Sequence, residues 1–392
     1  MATIHPRVYL DYNSTSPLLP GVAEMMSPYL DSGYGNPSSV HGEGRHAKQA
    51  VENARNQVAQ WLGVRRDKII FTSGGSEAIN TAIKGIAFSR KSHGTHLITT
   101  AVEHAAVLET CRYLEREFGF TLTLLPVDST GLISLEDIKK AVTRETSLIS
   151  LIHAQNEIGT VEPVEEVITF AHERGIVVHL DGVQAAGKIP LNLGALGADL
   201  YSISGHKVGG PKGVGVLYVR DDLKIHPLIH GAHHERDMRA GTENVSGIVG
   251  FGKAAEMVSH KNSSEFLKGA ALKQKLYEGI QSRVENCFLN GSLRGLPNTL
   301  NLSFDGVDGL ALLLNLDLEG ISVSSGSACL SGGIEPSAIL MALGLSKERA
   351  QSAIRFSLGW GSTEEEINFT IEKVAEVVGR LRESNIKDQM SK

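Results

Sequence analysis

The chain has 392 residues, of which 41% are hydrophobic and 21% are charged, and its formal net charge at pH 7 is −6. This length exceeds the usual single-domain range and predicts two domains, and the composition is that of a soluble globular protein with a large core. The negative net charge speaks against nucleic acid and against an anionic membrane surface as partners.

Targeting signals and paired cysteines are both missing from the sequence. The amino terminus lacks the apolar core of a signal peptide, and no window approaches the roughly 18 apolar residues of a membrane span. Cys111, Cys287 and Cys329 form neither a paired framework nor a CxxC motif, which is typical of a reducing compartment. We therefore expect a cytoplasmic protein.

Strand-like and helix-like patterns alternate along the first part of the chain. The strand-like runs are 68–72, 96–100, 147–153, 176–181, 199–204 and 214–219. Helical spacing of apolar residues covers 77–88, 105–118 and the segment around 169–174. This alternation predicts an α/β fold in which a large, mostly parallel sheet carries helices on both faces.

The pattern changes from about residue 248. A mostly helical stretch reaches about residue 287, interrupted by the polar segment 261–264, and strand-like runs follow at 299–304 and 321–324. A terminal helix covers about 364–383. These features predict a second, smaller α+β domain, with its boundary near residues 255–265.

Lys207 and Asp181 each follow a strand-like run. Lys207 comes directly after Ser-Gly-His, just beyond the run that ends at Ser204, and Asp181 ends the run 176–181. A lysine amine and a carboxylate are what pyridoxal phosphate (PLP) needs from a protein, as a covalent partner and as a counter-charge for the ring nitrogen. Lys207 is therefore a candidate cofactor lysine, although a solvated lysine would fit this stretch too.

Two short segments can bind a phosphate. Gly75 and Ser76 lie between a strand and a helix, where backbone amides, the helix amino terminus and a hydroxyl can cradle an anion. The alternative is an ordinary N-cap with Ser76 as the capping residue. Ser204 and His206 can supply two further donors beside Lys207, and His206 can equally be a structural donor.

Three polar residues lie just past predicted strands, at the same edge of the sheet. His104 can stack on a cofactor ring or move protons, and Asn156 and Gln184 can bind a ligand. Each has a plainer alternative, a satisfied loop histidine for His104 and turn chemistry for the two amides.

Cys329 and Arg355 are the remaining candidates. Cys329 lies between small residues, Ser-Gly-Ser-Ala before it and Leu-Ser-Gly-Gly after it, and a cysteine on such a loop is a candidate nucleophile. Cys111, inside a helical pattern, reads as a buried thiol, and Cys287 can be one too. Arg355, within an apolar run, needs an anionic partner, which can be a substrate carboxylate or a structural ion pair.

Taken together, these motifs resemble the NifS/IscS-type cysteine desulfurases, PLP enzymes of the class V aminotransferase group. The resemblance covers nearly the whole chain and rests on the order and spacing of these segments: 9–17 (YLDYNSTSP), 35–39 (GNPSS), 71–77 (FTSGGSE), 103–104 (EH), 156–160 (NEIGT), 179–184 (HLDGVQ), 204–207 (SGHK), 239–242 (RAGT), 325–329 (SGSAC) and 355–359 (RFSLG). It implies the PLP-dependent transferase type I fold, with a large domain at 15–258 and a small domain formed by 1–14 and 259–392.

The resemblance also implies a role for each candidate. Lys207 would hold PLP covalently, Asp181 would pair with the ring nitrogen, His104 would stack on the ring, and Gln184 would bond its phenolic oxygen. Phosphate would be bound by Gly75, Ser76, Ser204 and His206, joined by Thr242 from the partner subunit of a homodimer. Asn156 and Arg355 would hold the substrate carboxylate, and Cys329 would accept the sulfur of L-cysteine as a persulfide; no metal is implied.

The resemblance leaves the acceptor and some rivals open. The tail 385–392 does not resemble the carboxyl-terminal motif with which some members dock an iron–sulfur scaffold, so the sulfur acceptor can be a scaffold for iron–sulfur cluster assembly or a tRNA or cofactor thiolation relay. Tyr12, Ser14, Gly182 and Ala240 depart from the commonest pattern without removing a group of assigned role. The alternatives are a selenocysteine lyase, another class V PLP lyase or aminotransferase, or a non-catalytic scaffold subunit with the same fold.

Overall fold

The computed structural model describes residues 7–260, 263–325, 329–330 and 333–390, with the backbone alone at 263–266, 329–330, 333–334 and 386–390. In chain order the strands are β1 (Val8–Tyr9), β2 (Ile69–Thr72), β3 (His96–Thr100), β4 (Thr121–Leu125), β5 (Thr146–Ile152), β6 (Val177–Asp181), β7 (Leu200–Ser204), β8 (Gly215–Val219), β9 (Cys287–Leu289), β10 (Thr299–Phe304), β11 (Ile321–Ser322), β12 (Cys329–Leu330), β13 (Gly333–Ile334) and β14 (Ala353–Ser357). The helices are α1 (Val22–Met26), α2 (Gly42–Leu62), α3 (Gly75–Ser89), α4 (Ala105–Phe118), α5 (Leu135–Ala141), α6 (Val164–His172), α7 (Leu193–Leu196), α8 (Val245–Ser259), α9 (Ser263–Gln281), α10 (Gly309–Leu318), α11 (Ala338–Ala342), α12 (Lys347–Gln351) and α13 (Glu364–Met390).

A seven-stranded sheet in the order β2-β8-β7-β6-β5-β3-β4 forms the centre of the molecule. β8 runs antiparallel to β2 and to β7, and the pairs β7–β6, β6–β5, β5–β3 and β3–β4 are parallel. The predicted α/β fold with a large, mostly parallel sheet is therefore confirmed. The edge strand β4 was not predicted, because its residues are largely exposed and lack a buried periodicity.

Alternation along the strands gives the sheet two buried faces. In β2, Ile69 and Phe71 belong to one hydrophobic core together with residues of α2, α6 and α8, whereas Ile70 belongs to a second core with residues of α3 and α4. Successive residues of a strand point to opposite faces, so helices cover both sides of the sheet as predicted.

A separate core is formed by the carboxyl-terminal part of the chain and by its amino-terminal segment. Val8 and Leu10 pack there with residues between 272 and 378. Around this core lie the antiparallel sheet β14-β10-β9 and the parallel pair β1–β11. The segment after β1 is also bound to β14, since the Tyr12 N–H donates to the Ser357 carbonyl at 3.1 Å and the Ser357 N–H donates to the Leu10 carbonyl at 2.8 Å.

The helical predictions for the second part of the chain needed two corrections. The helical stretch predicted to about residue 287 ends at Gln281, and Cys287 begins β9 instead; the terminal helix continues beyond residue 383 to Met390. None of the helices in the described part of the chain has the length and apolar character that crossing a membrane requires.

Candidate active site

The candidate residues meet at the carboxyl ends of the parallel strands. Each of β2, β3, β5, β6 and β7 is followed within a few residues by a polar side chain, and such strand ends form the usual binding edge of an α/β sheet. A cavity of about 280 Å³ opens there. Its lining includes these predicted residues: Gly75, Ser76, His104, Asn156, Asp181, Gln184, Ser204, His206, Lys207 and Arg355.

Lys207 ends the short 3₁₀ turn Gly205–Lys207 that follows β7. Its Nζ donates to the carbonyl oxygens of Asn13 and Ser14, each at 2.6 Å. Burial, followed by the nearby Arg355 guanidinium, lowers the pKa of Lys207 to about 8. A lysine with such a pKa supplies a useful fraction of neutral, nucleophilic amine near neutrality.

Asp181 is a buried carboxyl group at the end of β6. The Val183 N–H donates to its Oδ1 at 3.0 Å. Burial raises the pKa of Asp181, while the Val183 N–H bond and the Lys207 charge act in the opposite direction. A buried carboxyl group at this position can pair with a cationic ring nitrogen in the cavity.

His104 and its neighbour Glu103 occupy the start of α4. His104 is exposed and caps this helix, since its Nδ1 accepts the Ala106 N–H at 3.1 Å. Nδ1 is therefore unprotonated and Nε2 carries the proton. Glu103 is buried, and burial raises the pKa of Glu103 well above its ordinary range, so this carboxyl holds a proton.

One end of the cavity has the donors that an anion needs. Gly74, not Ser76, is the N-cap of α3, so the alternative interpretation of Ser76 as a cap is wrong. Gly74 gives the helix no side-chain cap, and the first N–H groups of α3 stay available to a ligand. A Cβ on Gly75 would lie 2.8 Å from Cγ2 of Val183, so this position needs glycine. The Ser204 side chain borders the same space.

His206 lies between the cavity and the amino-terminal segment. Its Nδ1 is 3.1 Å from Oγ1 of Thr15. Burial, with the positive charges of Lys207, Lys212 and Lys188, lowers the pKa of His206 to about 4. The ring is therefore neutral at physiological pH, and it can donate one hydrogen bond to a phosphate.

Asn13 joins the residues of the site to one another and was missed in the sequence. Its Oδ1 accepts from Nζ of Lys188 at 2.7 Å and from Nδ2 of Asn298 at 3.1 Å. Its Nδ2 donates to the Asn156 carbonyl at 3.0 Å and to Oγ1 of Thr299 at 2.8 Å. All four hydrogen-bonding positions of the amide are used. The backbone carbonyl of Asn13 accepts from Gln184 at 2.9 Å as well as from the catalytic candidate Lys207.

Arg355 reaches the cavity from β14, whose neighbours Ile354 and Phe356 pack in the separate core of the carboxyl-terminal part of the chain. It donates to Oδ1 of Asp11 and to Oγ of Ser14, each at 2.8 Å, and to the Asn156 carbonyl at 3.1 Å. The structural ion pair that the sequence left open is thus present. The buried Nε of Arg355 has no hydrogen-bond partner in the described part of the chain, so the guanidinium keeps a free donor for an anion.

Of the two remaining candidates, Thr242 does not line the cavity in this single chain. Thr242 is exposed and is not among the described residues that line the cavity. Cys329 lies in β12, paired with Ile334, and its side chain is outside the described atoms. Cys111 and Cys287 are both buried, and burial raises the pKa of each thiol to about 12, which makes both unreactive.

The residues present fit PLP. The cavity has an anion site at the uncapped first turn of α3, a buried carboxyl at Asp181 and an amine at Lys207. A phosphate, a ring nitrogen and an aldehyde are the three parts of PLP that need these partners. The residues that the sequence missed, Asp11, Asn13 and Lys188, make hydrogen bonds to this set. The quoted segment 9–17 was the signal that could have pointed to Asp11 and Asn13.

Known proteins resemble this chain along nearly its whole length. The family model described as aminotransferase class-V matches residues 8–369. Cysteine desulfurase IscS of Dictyoglomus turgidum is 48% identical over 376 residues, which cover 96% of this chain and 95% of that protein. Cysteine desulfurase IscS of Clostridium botulinum is 45% identical, over 97% of this chain and 96% of that protein.

Solved structures give the same result. One described as a NifS-like protein is 40% identical and superimposes with a TM-score of 0.88, covering 96% of this chain and 100% of that chain. Another, described as SspA in complex with cysteine, is 37% identical with a TM-score of 0.79, covering 90% of this chain and 98% of that one.

Proposed function

Since this chain belongs to the class-V aminotransferase family and, within it, to the cysteine desulfurases, we propose that it converts L-cysteine to L-alanine and takes the sulfur onto Cys329 as a persulfide. The single observation that carries this proposal is the joint placement of Lys207 and Asp181 in one cavity with Arg355. An amine, a buried carboxyl and a guanidinium are the partners of PLP and of an amino-acid carboxylate.

PLP would be held by the residues that line the cavity. Lys207 would bind its aldehyde carbon, Asp181 would pair with its ring nitrogen, His104 would stack on its ring, Gln184 would bond its phenolic oxygen, and the first turn of α3 with Ser204 and His206 would bind its phosphate. When bound, PLP supplies an electron sink for the bonds of the substrate amino acid.

Proton transfer falls to two side chains of the chain itself. The amine of Lys207, with a pKa lowered to about 8, can take up and return a proton at the substrate Cα. His104 carries a proton on Nε2 and accepts an N–H on Nδ1, so it can exchange a proton with the substrate thiol only through Nε2.

Arg355 would bind the substrate carboxylate. Its side chain is buried and borders the cavity, and its Nε has no partner in the described residues. An incoming carboxylate can use Nε together with one terminal nitrogen, at the expense of a bond to Asp11 or Ser14. The Asn156 side chain lies in the same lining and would bind the second carboxylate oxygen.

The sulfur transfer requires a reactive thiol. The Cys329 thiolate attacks the sulfur of the bound cysteine, an S–S bond forms, and the substrate C–S bond breaks. The substrate carbon then takes a proton and leaves as alanine, so one thiol and one cysteine become one persulfide and one alanine, with no external oxidant. Cys111 and Cys287 cannot take this role because both thiols are buried.

Peptide mass spectrometry after incubation with L-cysteine tests this proposal. The wild-type protein and a Cys111→Ser/Cys287→Ser variant should both carry an additional sulfur on Cys329, with alanine formed in equal amount in the first turnover. Cys329→Ser should bind PLP but form no adduct. An adduct on Cys111 or Cys287, or alanine formation by Cys329→Ser at the wild-type rate, would contradict the assignment.

We further propose the setting in which the enzyme works. The persulfide passes to an acceptor protein for iron–sulfur cluster assembly or for thiolation of tRNA or a cofactor, in the cytoplasm. The working unit is a homodimer in which Thr242, exposed in the single chain, completes the phosphate site of the partner. The chain divides into a domain of 15–258 and one of 1–14 with 259–392, a division supported by the separate packing of Val8 and Leu10 with residues 272–378.

A further inference from the structure

The space beside Asp181 is filled from the neighbouring strand. Gly182 follows Asp181 directly, and a Cβ built on it would overlap the Cε1 and Cζ atoms of the Tyr201 ring and lie 2.5 Å from the Tyr201 hydroxyl oxygen. Gly182 is not among the described residues with a positive φ. The position therefore needs glycine for space and not for backbone conformation.

Tyr201 is fully buried, and its hydroxyl has one partner among the hydrogen bonds of the described residues. Nδ1 of His153 lies 2.8 Å from the hydroxyl oxygen, with the two rings nearly perpendicular at 89°. Burial lowers the pKa of His153 to about 4, and burial together with the Asp181 charge raises the pKa of Tyr201. The imidazole is therefore neutral and the phenol protonated, and one neutral hydrogen bond joins them.

This hydrogen bond crosses a whole strand. Tyr201 belongs to β7 and His153 follows β5, while β6, which carries Asp181, lies between them. Side chains two strands apart start about 10 Å from each other. They can meet only over a position without a side chain, and Gly182 is that position. The Tyr201–His153 hydrogen bond thus lies across the backbone at Gly182, directly after Asp181.

Main-chain hydrogen bonds also tie the Asp181–Gly182 peptide to its two neighbouring strands. The His153 N–H donates to the Asp181 carbonyl at 2.9 Å, and the Gly182 N–H donates to the Ser202 carbonyl at 3.0 Å. The Asp181–Gly182 peptide is therefore bound on both edges, by β5 and by β7. Tyr201 packs with the core of one sheet face, and the Asp181 side chain, one residue before Gly182, points to the other.

We propose that Tyr201 is a positioning residue for Asp181: its ring, seated against Gly182 and bonded to His153 across β6, fixes the strand end from which the Asp181 carboxylate faces the cofactor ring nitrogen. This inference rests on the proposed function, because it assumes that PLP occupies the cavity. Tyr201 itself is not among the described residues that line the cavity, so it acts only through Asp181.

Tyr201→Phe tests the bond alone, because it keeps the ring and removes the hydroxyl. The apoprotein should bind PLP about tenfold more weakly, the worth of one ordinary hydrogen bond. The visible absorption maximum of the bound cofactor should shift, and kcat should fall while KM for L-cysteine stays within about twofold, since Arg355 is untouched. Tyr218→Phe, at a buried tyrosine of the same core, is the matched control and should leave all these quantities unchanged.

Gly182→Ala tests the packing of the Tyr201 ring against residue 182. Its methyl group should displace Tyr201 and weaken PLP binding by more than Tyr201→Phe does, and the same methyl should cost much less in a Tyr201→Leu background, where the ring is absent. Far-ultraviolet circular dichroism and denaturant unfolding of each apoprotein report folding separately.

The outcomes separate this inference from the proposed function. A wild-type protein that binds no PLP would contradict the proposed function itself. A PLP-binding wild type whose Tyr201→Phe variant keeps the cofactor affinity, absorption maximum and kcat would overturn the positioning role, whatever its stability. Equal effects of Gly182→Ala with and without the Tyr201 ring would overturn it as well.

Discussion

The guanidinium of Arg355 lies 2.8 Å from Oδ1 of Asp11, so a cation that lowers the pKa of Lys207 is paired with an anion that raises it. Both residues come from elements of the separate core that the two chain ends share, Arg355 from β14 and Asp11 from the segment after β1. The basicity of the amine is therefore controlled by charges from outside the large sheet.

This pairing predicts how PLP incorporation depends on pH. The neutral amine is the form that attacks the aldehyde, so the rate at which the apoprotein links PLP should rise with pH and level off above about 8, the pKa of Lys207. Asp11→Asn removes an anion that raises this pKa and should move the midpoint down. Arg355→Gln removes a cation that lowers it and should move the midpoint up. Stopped-flow absorbance across the pH range measures each midpoint, and shifts in the same direction for both variants would contradict the charge balance.

Asn13→Ala should destabilise the protein and reduce its activity. The change removes the four hydrogen bonds of the Asn13 side chain, to Lys188, Asn298, Thr299 and the Asn156 carbonyl. The loss in the free energy of unfolding should be about 2–4 kcal/mol, because each such hydrogen bond contributes roughly 0.5–1.5 kcal/mol. Denaturant unfolding measures it, with Asn385→Ala as the control, since Asn385 makes an exposed bond to the Gly306 carbonyl. A loss no larger than the control's would show that solvent replaces these bonds.

Glu235→Gln should cost about 3 kcal/mol of stability, because it removes the buried partner of Arg55 and leaves the partly exposed Glu52 as its counter-charge. Glu235 binds both terminal nitrogens of Arg55, at 2.7 and 2.8 Å, and also accepts the Phe71 N–H at 2.8 Å. The exposed pair Arg65–Asp67 is the control, and Asp67→Asn should change stability by less than about 1 kcal/mol.

The same substitution should affect the loop that Glu235 anchors. Glu235, Arg236 and Asp237 have φ of 44°, 55° and 66°, a conformation that non-glycine residues adopt only when their surroundings enforce it. Hydrogen exchange over residues 230–243 should become faster in Glu235→Gln and stay unchanged in Asp67→Asn. Unchanged exchange in both variants would mean that the ion pair does not hold this loop.

His179 should make the protein sensitive to acid. It is buried between the Ser150 and Ser202 hydroxyls, and burial lowers its pKa to about 3. Between this value and the ordinary pKa of about 6.5 the unfolded chain binds a proton that the folded chain does not, so stability falls as pH falls through this range. At pH 4.5 the protonation of His179 in the unfolded chain lowers the free energy of unfolding by about 2–3 kcal/mol.

His179→Asn should lose some stability at pH 7 but show a shallower decline toward pH 4.5. Urea unfolding at a series of pH values measures the two slopes. His93→Asn, at an exposed histidine, should give the wild-type slope. A His179→Asn profile parallel to the wild type would assign acid sensitivity to other buried groups.

The sequence was sufficient to predict the edge of the sheet where the site lies. His104, Asp181 and Lys207 each follow a strand whose apolar pattern is local and continuous, and parallel strands end at a common edge. By contrast, the Asp11–Arg355 and Tyr201–His153 contacts join residues far apart in the sequence. No local periodicity encodes such pairs, because they depend on how complete elements pack.

Two features of the fold, the helix α2 and the direction of β8, were missed in the sequence. The helix α2 received no prediction, although its buried face includes Ala47, Val51, Ala54 and Val58 at helical spacing. The reversed direction of β8 leaves its apolar content unchanged, so composition could not distinguish it from a parallel strand. The role of Cys329 stays a prediction, since its side chain lies outside the described atoms.

The position of residues 11–14 has a consequence for the order in which the enzyme is made. This segment takes its place from β11 and β14, and it provides the carbonyl oxygens that bind Lys207. A chain still on the ribosome that ends before β11 contains every strand of the large sheet but lacks the partners that hold its first residues over the lysine. The newborn large sheet therefore forms before the segment that binds Lys207 has its partners, and the site can be completed only after β14 has been made.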